Sequence, residues 1–236
     1  MSDSILITGG AGKLGMALHK IMPTALAAVR SDFDITNQLQ INSFLDKHSN
    51  VNTIVHCAAM ISPPKINENI SAAIHSNIIG TSLLSAACFE RNIRLIYIST
   101  DYVFDGEKGF YNETDKLLPQ NKYAWSKLGG ECALQMLDNF VIIRLSFGPD
   151  IFPYKAAFVD QFTSRESVST IATKIKNVTL SNFKGVIHLG GTRKSVYDYA
   201  LSLGANNIEK ISIKDMPVKM PTDTSLDCGL YNDLIK

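Results

Sequence analysis

The sequence predicts an α/β fold built on one doubly wound parallel sheet, and three observations predict it. Short apolar runs alternate with longer stretches of helical periodicity. A glycine-rich turn joins the first run to the first helix. The composition is that of a chain with a full core, 45% hydrophobic and 19% charged over 236 residues. That length suits one domain with an appended lobe better than two independent folds.

In chain order, SILIT (4 to 8) reads as the first strand and 13 to 22 as the first helix. ALAAV (25 to 29) follows, then a helix over 37 to 47 with Leu39, Phe44 and Leu45 at helical spacing. NTIVHC (52 to 57), a helix over 70 to 88, RLIYIS (94 to 99), a helix over 123 to 138 and FVIIRL (140 to 145) continue the alternation. Each unit is a strand followed by a helix, so the strands should run parallel with right-handed crossovers. From about residue 150 the pattern loosens: a Pro- and Phe-bearing segment (150 to 162), a helix near 168 to 179, strand GVIHL (185 to 189) and a helix over 195 to 203. The expected division is a first domain over 1–149 and a shortened substrate-binding lobe over 150–236, interleaved with it.

Charge and cysteine content narrow the function classes. The 23 Lys and Arg against 22 acids leave a formal charge of +1, no footprint for a nucleic acid polymer or an anionic membrane. Cys57, Cys88, Cys132 and Cys228 form no C-x-x-C pair, so zinc clusters and disulfide frameworks are not indicated and reduced, buried thiols are expected. Asp3 stands where a signal peptide needs positive charge, and the apolar run after it ends at Ile7. No later apolar run approaches the ~20 residues of a spanning helix. A cytoplasmic protein without membrane contact is the expectation.

The turn after the first strand, ITGGAGKLG, places Gly9, Gly12 and Gly15 at three-residue intervals at the mouth of a helix. Glycine permits the tight turn, lets backbone amides approach a pyrophosphate, and lets helix pack closely on sheet. The helix N-terminus adds partial positive charge. A Walker loop is excluded, since it needs glycine where Ile7 stands and a hydroxyl where Leu14 stands. Gly9, Gly12, Lys13, Leu14 and Gly15 are therefore expected to hold a dinucleotide in a Rossmann-type fold.

Roughly 20 residues on, an NAD-preferring site offers an acid to the adenosine ribose. Here the second strand ends Ala28, Val29, Arg30, Ser31. With no acid to repel a 2′-phosphate and a guanidinium to pair with it, Arg30 and Ser31 point to NADP(H). Asp32 and Asp34 lie close by, so NAD(H) stays open.

At the head of the fourth long helix stands Tyr123-Ala-Trp-Ser-Lys127, whose four-residue spacing puts phenol and ammonium on one helical face. A free tyrosine, pKa about 10, is a poor acid–base catalyst at neutral pH, and a neighbouring cation favours its phenolate. The preceding strand runs out into ISTDYVFDG, setting Ser99 and Thr100 at the carboxyl edge of the sheet beside the cofactor. A hydroxyl there can donate to a carbonyl oxygen as negative charge develops.

With these residues in view, the sequence resembles the extended short-chain dehydrogenase/reductase superfamily, and within it the dTDP-4-dehydrorhamnose reductase family. The matching segments are TGGAGKLG, FDIT (33 to 36), TIVHCAAM (53 to 60), SNIIGT (76 to 81), ISTDYVFDG (98 to 106), YNETD (111 to 115), YAWSKLGGE (123 to 131), IIRLSFG (142 to 148) and PTDTSLDC (221 to 228). STDYVFDG and the terminal TSLD are the specific ones.

The resemblance implies that Tyr123 protonates a sugar carbonyl, that Lys127 holds the nicotinamide ribose and lowers the tyrosine pKa, and that Thr100 hydrogen-bonds the reacting oxygen. It further implies that Asp34 and Ile35 flank the adenine, that Ala58, Ala59 and Met60 pass the middle of the cofactor, and that Asp101 and Tyr102 face the hexose. The implied activity is NADPH-dependent reduction of a nucleotide-activated 4-keto-6-deoxy sugar. Tyr102 stands where the related dehydratases carry a catalytic Glu, so an elimination lacks its acid.

Two departures bear on substrate: the region after Gly148 is short, and Met220-Pro221 replaces an Arg-Pro. His56 replaces an Asn after the third strand and reads equally as a packed core histidine. Two other readings accompany the first: another nucleotide-sugar reductase or epimerase with the same triad, and a cofactor-bound regulatory subunit resembling the beta subunit of methionine adenosyltransferase. The superfamily also implies a homodimer through the helices at 70 to 88 and 123 to 137. No ligand cluster demands a metal.

Overall fold

Every apolar run singled out above becomes a strand of one sheet in the computed structural model, which describes residues 4–236; Asp3, used in the signal-peptide argument, lies outside the described residues. The chain runs β1 (Ile5–Thr8), α1 (Lys13–Ile21), β2 (Leu26–Ala28), α2 (Gln38–Lys47), β3 (Thr53–His56), α3 (Pro63–Glu68), α4 (Ile70–Ala73), a π-turn (Ile74–Ile79), α5 (Gly80–Glu90), β4 (Arg94–Ile98), α6 (Lys122–Leu134) and β5 (Phe140–Leu145). Beyond these come short strands β6 (Phe147–Gly148), β7 (Ala156–Phe158), β8 (Phe162–Thr163) and β9 (Glu166–Ser167). The remainder is α7 (Val168–Leu180), β10 (Gly185–Leu189), β11 (Lys194–Ser195), α8 (Val196–Ser202), β12 (Glu209–Ile211) and α9 (Gly229–Leu234).

The main sheet has six strands in the order β2-β1-β3-β4-β5-β10, all parallel. Its strands are apolar on both faces because both faces are covered. Successive residues alternate sides: Ile7, Val55, Ile96 and Ile143 pack with Leu18 of α1 and Ile171 and Ile175 of α7. Leu6, Ile54, Leu95 and Ile142 pack on the other side with Ile41, Leu84 and Leu134. The chain steps from β1 out to β2, then back across β1 to β3. That reversal opens a crevice at the carboxyl ends of β1 and β3, the place where open α/β sheets take ligands.

The residues after 150 divide between two layers. Helix α7 and strand β10 complete the sandwich, β10 extending the sheet beyond β5. Strand β7 and helix α8 form a small separate cluster around Ala157, Val196 and Ala200. The C-terminal segment crosses back, bridging Tyr111 to Leu226 and Phe162 to Asp223.

Three expectations are corrected. Helix α2 buries Ile41 and Leu45, whereas Leu39 is 79% exposed, because it lies on the opposite side of the helix from Ile41. The helical stretch Ile70–Glu90, 21 residues, is long and apolar enough by length and composition to cross a membrane, contrary to the sequence reading. In the fold it is a packed helix: Leu84, Ala87 and Cys88 lie in the core, and the polar Asn77, Thr81 and Ser85 are buried too. All four cysteines are free, yet only Cys88 is buried and Cys132 is exposed, since it falls on the outer face of α6.

Candidate active site

The glycine turn builds one end of the crevice. Gly9 sits at φ +70, and a Cβ there would come within 2.8 Å of Ala58 N, so β1 and the turn after β3 approach only because glycine is present. A Cβ on Gly15 would collide with the Gly9 carbonyl. Gly12 caps α1 without any side-chain hydrogen bond, leaving the first helical amides to a ligand or water. The resulting cleft of about 710 Å³ is lined by Gly9, Gly12, Arg30, Asp34, Ile35, Ala58, Ala59 and Met60, as expected from sequence. The bare amides, the glycine cradle and the cleft's size fit a dinucleotide.

Other expected residues stand back from it. Leu14 is a core side chain and Gly15 a packing contact; Lys13 and Ser31 are exposed and line no part of the cleft. Conversely, Thr8, Phe33, Cys57, Ala72, His75 and Ser76 line it without having been singled out. The last three come from the helix starting at Ile70, whose placement over the cleft is a tertiary fact.

Arg30 does not stand without an acid. Its Nε and Nη2 both donate to Asp34 Oδ2, at 3.0 and 2.7 Å. Asp34 Oδ1 accepts from Thr36 N and Oγ1 at 2.9 and 2.8 Å. Donation from Thr36 and then Arg30, outweighing burial, holds the Asp34 carboxyl below the usual range. The ribose end therefore carries a cation and an anion together.

Helix α6, tied to Met60 of the cleft through Asn77, is capped by Asn121, whose side chain accepts from Ala124 N at 2.8 Å. Tyr123, Lys127 and Glu131 follow at four-residue intervals on one face. Lys127 is 3% exposed, with Nζ 3.9 Å from the centroid of the Tyr97 ring. Burial pulls its amine down to about 7, against the opposing charges of Glu131 and Cys57. Tyr123 is pushed up, by burial and by the Asp101 carboxyl, while its hydrogen bond with Thr100 works the other way. The expected lowering of the tyrosine by its lysine is thus overturned by desolvation of both groups. A phenol so held keeps its proton at neutral pH, the state a proton donor needs.

Ser99, at the end of β4, donates its hydroxyl proton to Glu131 Oε1 at 2.5 Å. Glu131 is closed by Arg144, whose Nη2 lies 2.8 Å from Oε2, both side chains at most 3% exposed. A buried Ser99–Glu131–Arg144 network therefore backs Lys127.

Thr100, the expected carbonyl donor, is buried at the end of β4. Its Oγ1 donates to Asp101 Oδ1 at 3.1 Å and accepts from Tyr102 N at 3.3 Å. Asp101, expected to face the hexose, is only 2% exposed. Arg165 and Thr224, brought in from β8–β9 and the C-terminal segment, act on Asp101, and Arg165 also hydrogen-bonds Tyr102. Neither was legible beforehand; the quoted TSLD pattern was the one signal, for Thr224. His56 is a packed core histidine bridging Thr8 Oγ1 at 2.7 Å and Thr81 Oγ1 at 3.2 Å.

The fold and this site define the class: a Rossmann-type protein of the short-chain dehydrogenase/reductase superfamily, RmlD-like. The sequence model of the RmlD substrate binding domain matches residues 3–182, and the chain belongs to that family. It is 38% identical over 154 residues to a dTDP-4-keto-6-deoxy-D-glucose reductase of Streptomyces niveus, covering 62% of this chain but 53% of that protein. It is 30% identical over 243 residues to the dTDP-4-dehydrorhamnose reductase of Aggregatibacter actinomycetemcomitans, covering 91% and 82% of the two chains. The crystal structure of a dTDP-4-dehydrorhamnose reductase from Clostridium acetobutylicum superimposes with a TM-score of 0.86 at 27% identity, over 96% of this chain and 90% of that one.

Proposed function

We propose that this protein is an NADP(H)-dependent reductase of a nucleotide-activated 4-keto-6-deoxy sugar. The observation that carries the reading is the Thr100–Tyr123 hydrogen bond, with Lys127 one turn further along α6 and beside Cys57 of the cleft wall, in a chain similar to named reductases of such sugars. The Gly9–Gly15 turn and the α1 amides would hold the pyrophosphate, Arg30 the 2′-phosphate, and Ala58 to Met60 the middle of the cofactor. When bound, NADPH supplies the hydride.

This chain's own residues do the rest. Tyr123 keeps a proton at its phenol and gives it to the ketone oxygen. Lys127, a soft cation near neutrality, holds the ribose and follows the tyrosine's change of charge. Thr100 steadies the same oxygen. Tyr102 and Arg165 would stand on the substrate side, with β7, β8, α8 and the C-terminal segment as the substrate lobe and α7 and β10 left in the main sandwich. Exposed Ile79, Phe89, Trp125 and Met136 on α5, α6 and the flanking turns support a homodimer, which sedimentation tests. A cytoplasmic setting belongs to the same reading, and fractionation checks it.

The deciding experiment follows NADPH oxidation with dTDP-, UDP- and GDP-linked 4-keto-6-deoxy sugars, comparing wild type with Tyr123→Phe. The variant should lose about 100- to 10,000-fold in kcat while NADPH affinity holds. Binding of NADPH with no turnover of any of these sugars would leave a regulatory subunit and end the reductase reading.

A further inference from the structure

A threonine hydroxyl has one proton to give and lone pairs to receive with. In this site the Thr100 hydroxyl donates to Asp101 Oδ1, 3.1 Å away, the Tyr102 amide donates to it, and the Tyr123 phenol meets it on the side where a ketone oxygen would take that place. Were Asp101 ionised, both of its oxygens could only accept. Thr100 would then have to keep its proton on Asp101 and would have none for a ketone.

The surroundings of Asp101 oppose ionisation. The residue is 2% exposed, and its Oδ2 is sealed from solvent without a hydrogen bond of ordinary length, the Thr224 hydroxyl facing the carboxyl more loosely. A buried carboxylate oxygen left unpaired is costly, and the neutral acid avoids most of that cost. We propose that Asp101 works as a neutral carboxylic acid that donates to Thr100 Oγ1, and so turns the single Thr100 proton onto the reacting carbonyl oxygen. No proton leaves Asp101; the hydrogen bond between the two side chains reverses. The proposal rests on the reductase reading and names a positioning residue within it, since the sealed Oδ2 cannot itself meet a ligand.

The charged and titratable groups around Asp101 are Arg165 from the turn between β8 and β9, Tyr102 from its own turn and Tyr123 from α6. Arg165 and the hydroxyls of Thr224 and Thr100 favour the carboxylate; burial opposes them and prevails, leaving the carboxyl above its ordinary range. A carboxyl kept neutral by its site so that it can donate a hydrogen bond is a known device for holding a developing oxyanion.

Infrared spectroscopy of the whole protein at neutral pH reads this directly. Wild type should show the carbonyl stretch of a protonated carboxyl group that Asp101→Asn lacks and that Thr100→Val shifts. In turnover, Asp101→Ala should approach the ~100-fold loss that follows removal of one oxyanion donor. Asp101→Asn, whose amide can donate to Thr100 at any pH, should recover most of that loss and no longer slow as pH rises through the Asp101 titration. Absence of the acid band in wild type, or an Asn variant as slow as the Ala variant, overturns the proposal. The band needs no substrate, so a protein that reduces none of the sugars still decides the state of Asp101, and only the reductase reading falls.

Discussion

Asn77 grips Met60 through both atoms of its side-chain amide. Oδ1 accepts from Met60 N at 2.7 Å, and Nδ2 donates to Met60 O at 2.8 Å and to Ser126 Oγ at 2.8 Å. One buried amide on the π-turn thereby ties the cofactor cleft to the helix that carries Tyr123 and Lys127. π-turns of this kind recur at functional sites.

Asn77→Ala should therefore loosen the cleft and the catalytic helix together. Buried groups left unpaired cost about 1–3 kcal/mol each, so thermal melting should show a lower Tm. NADPH titration should show weaker binding, and a variant that melts and binds like wild type would refute the link.

Glu131 and Arg144 form a buried ion pair, and losing either partner strands the other charge. Glu131→Ala and Arg144→Ala should each cost about 3–5 kcal/mol. The double variant should cost much less than the sum of the two. Denaturant unfolding of all three proteins measures the coupling.

Arg30 and Asp34 share the ribose end of the cleft, so the cofactor preference should respond to both with opposite sign. Arg30→Ala should raise the KM for NADPH several-fold, with NADH little affected; the guanidinium is 85% exposed, which keeps the effect modest. Asp34→Asn should shift the preference toward NADPH by removing the anion nearest the 2′-phosphate. Steady-state kinetics with both nucleotides separate the two effects.

His188 is wholly buried and its ring is held down to about 4, first by burial and then by Arg144. His56 is held to about 3 by burial and Lys127. An unfolded histidine titrates near ~6.5, so below that pH the unfolded chain binds more protons than the folded one. Stability should be full above about 6.5 and fall as pH drops toward the folded values. His188→Gln, which cannot titrate, should show a shallower fall in unfolding free energy over the same range.

Lys127 gives the mirror case at higher pH. Its amine is held down to about 7 against an ordinary 10.5, so between those values the unfolded chain binds the extra proton. Its contribution should make stability rise with pH across that window. Lys127→Met should flatten the rise, and calorimetry at several pH values checks it.

Much of this was legible in the sequence. The strand runs at β1, β3, β4, β5 and β10 and the glycine turn are local patterns, and a strand read as SILIT or GVIHL formed where it was read. Helix α3, with Pro63 and Pro64 in its first turn, was not legible, because six residues are too few for periodicity to speak. The same holds for the short strands after β5, whose pairings join residues far apart in sequence. Leu39 was misread because helical spacing marks a face without saying which face the sheet will cover.

What the sequence determined by itself was the alternation of strand and helix, the dinucleotide turn, and the Tyr123–Lys127 pair on one helical face. Each depends only on neighbours within a few residues. What the tertiary structure alone decided was the company those residues keep: Asp34 on Arg30, Ser99 turned to Glu131, Arg165 and Thr224 gathered around Asp101. It also decided the direction in which the site's titratable groups shift. Removal of water from Tyr123, Lys127 and Asp101 outweighs their pairwise attractions, and burial is a property of the whole packed chain.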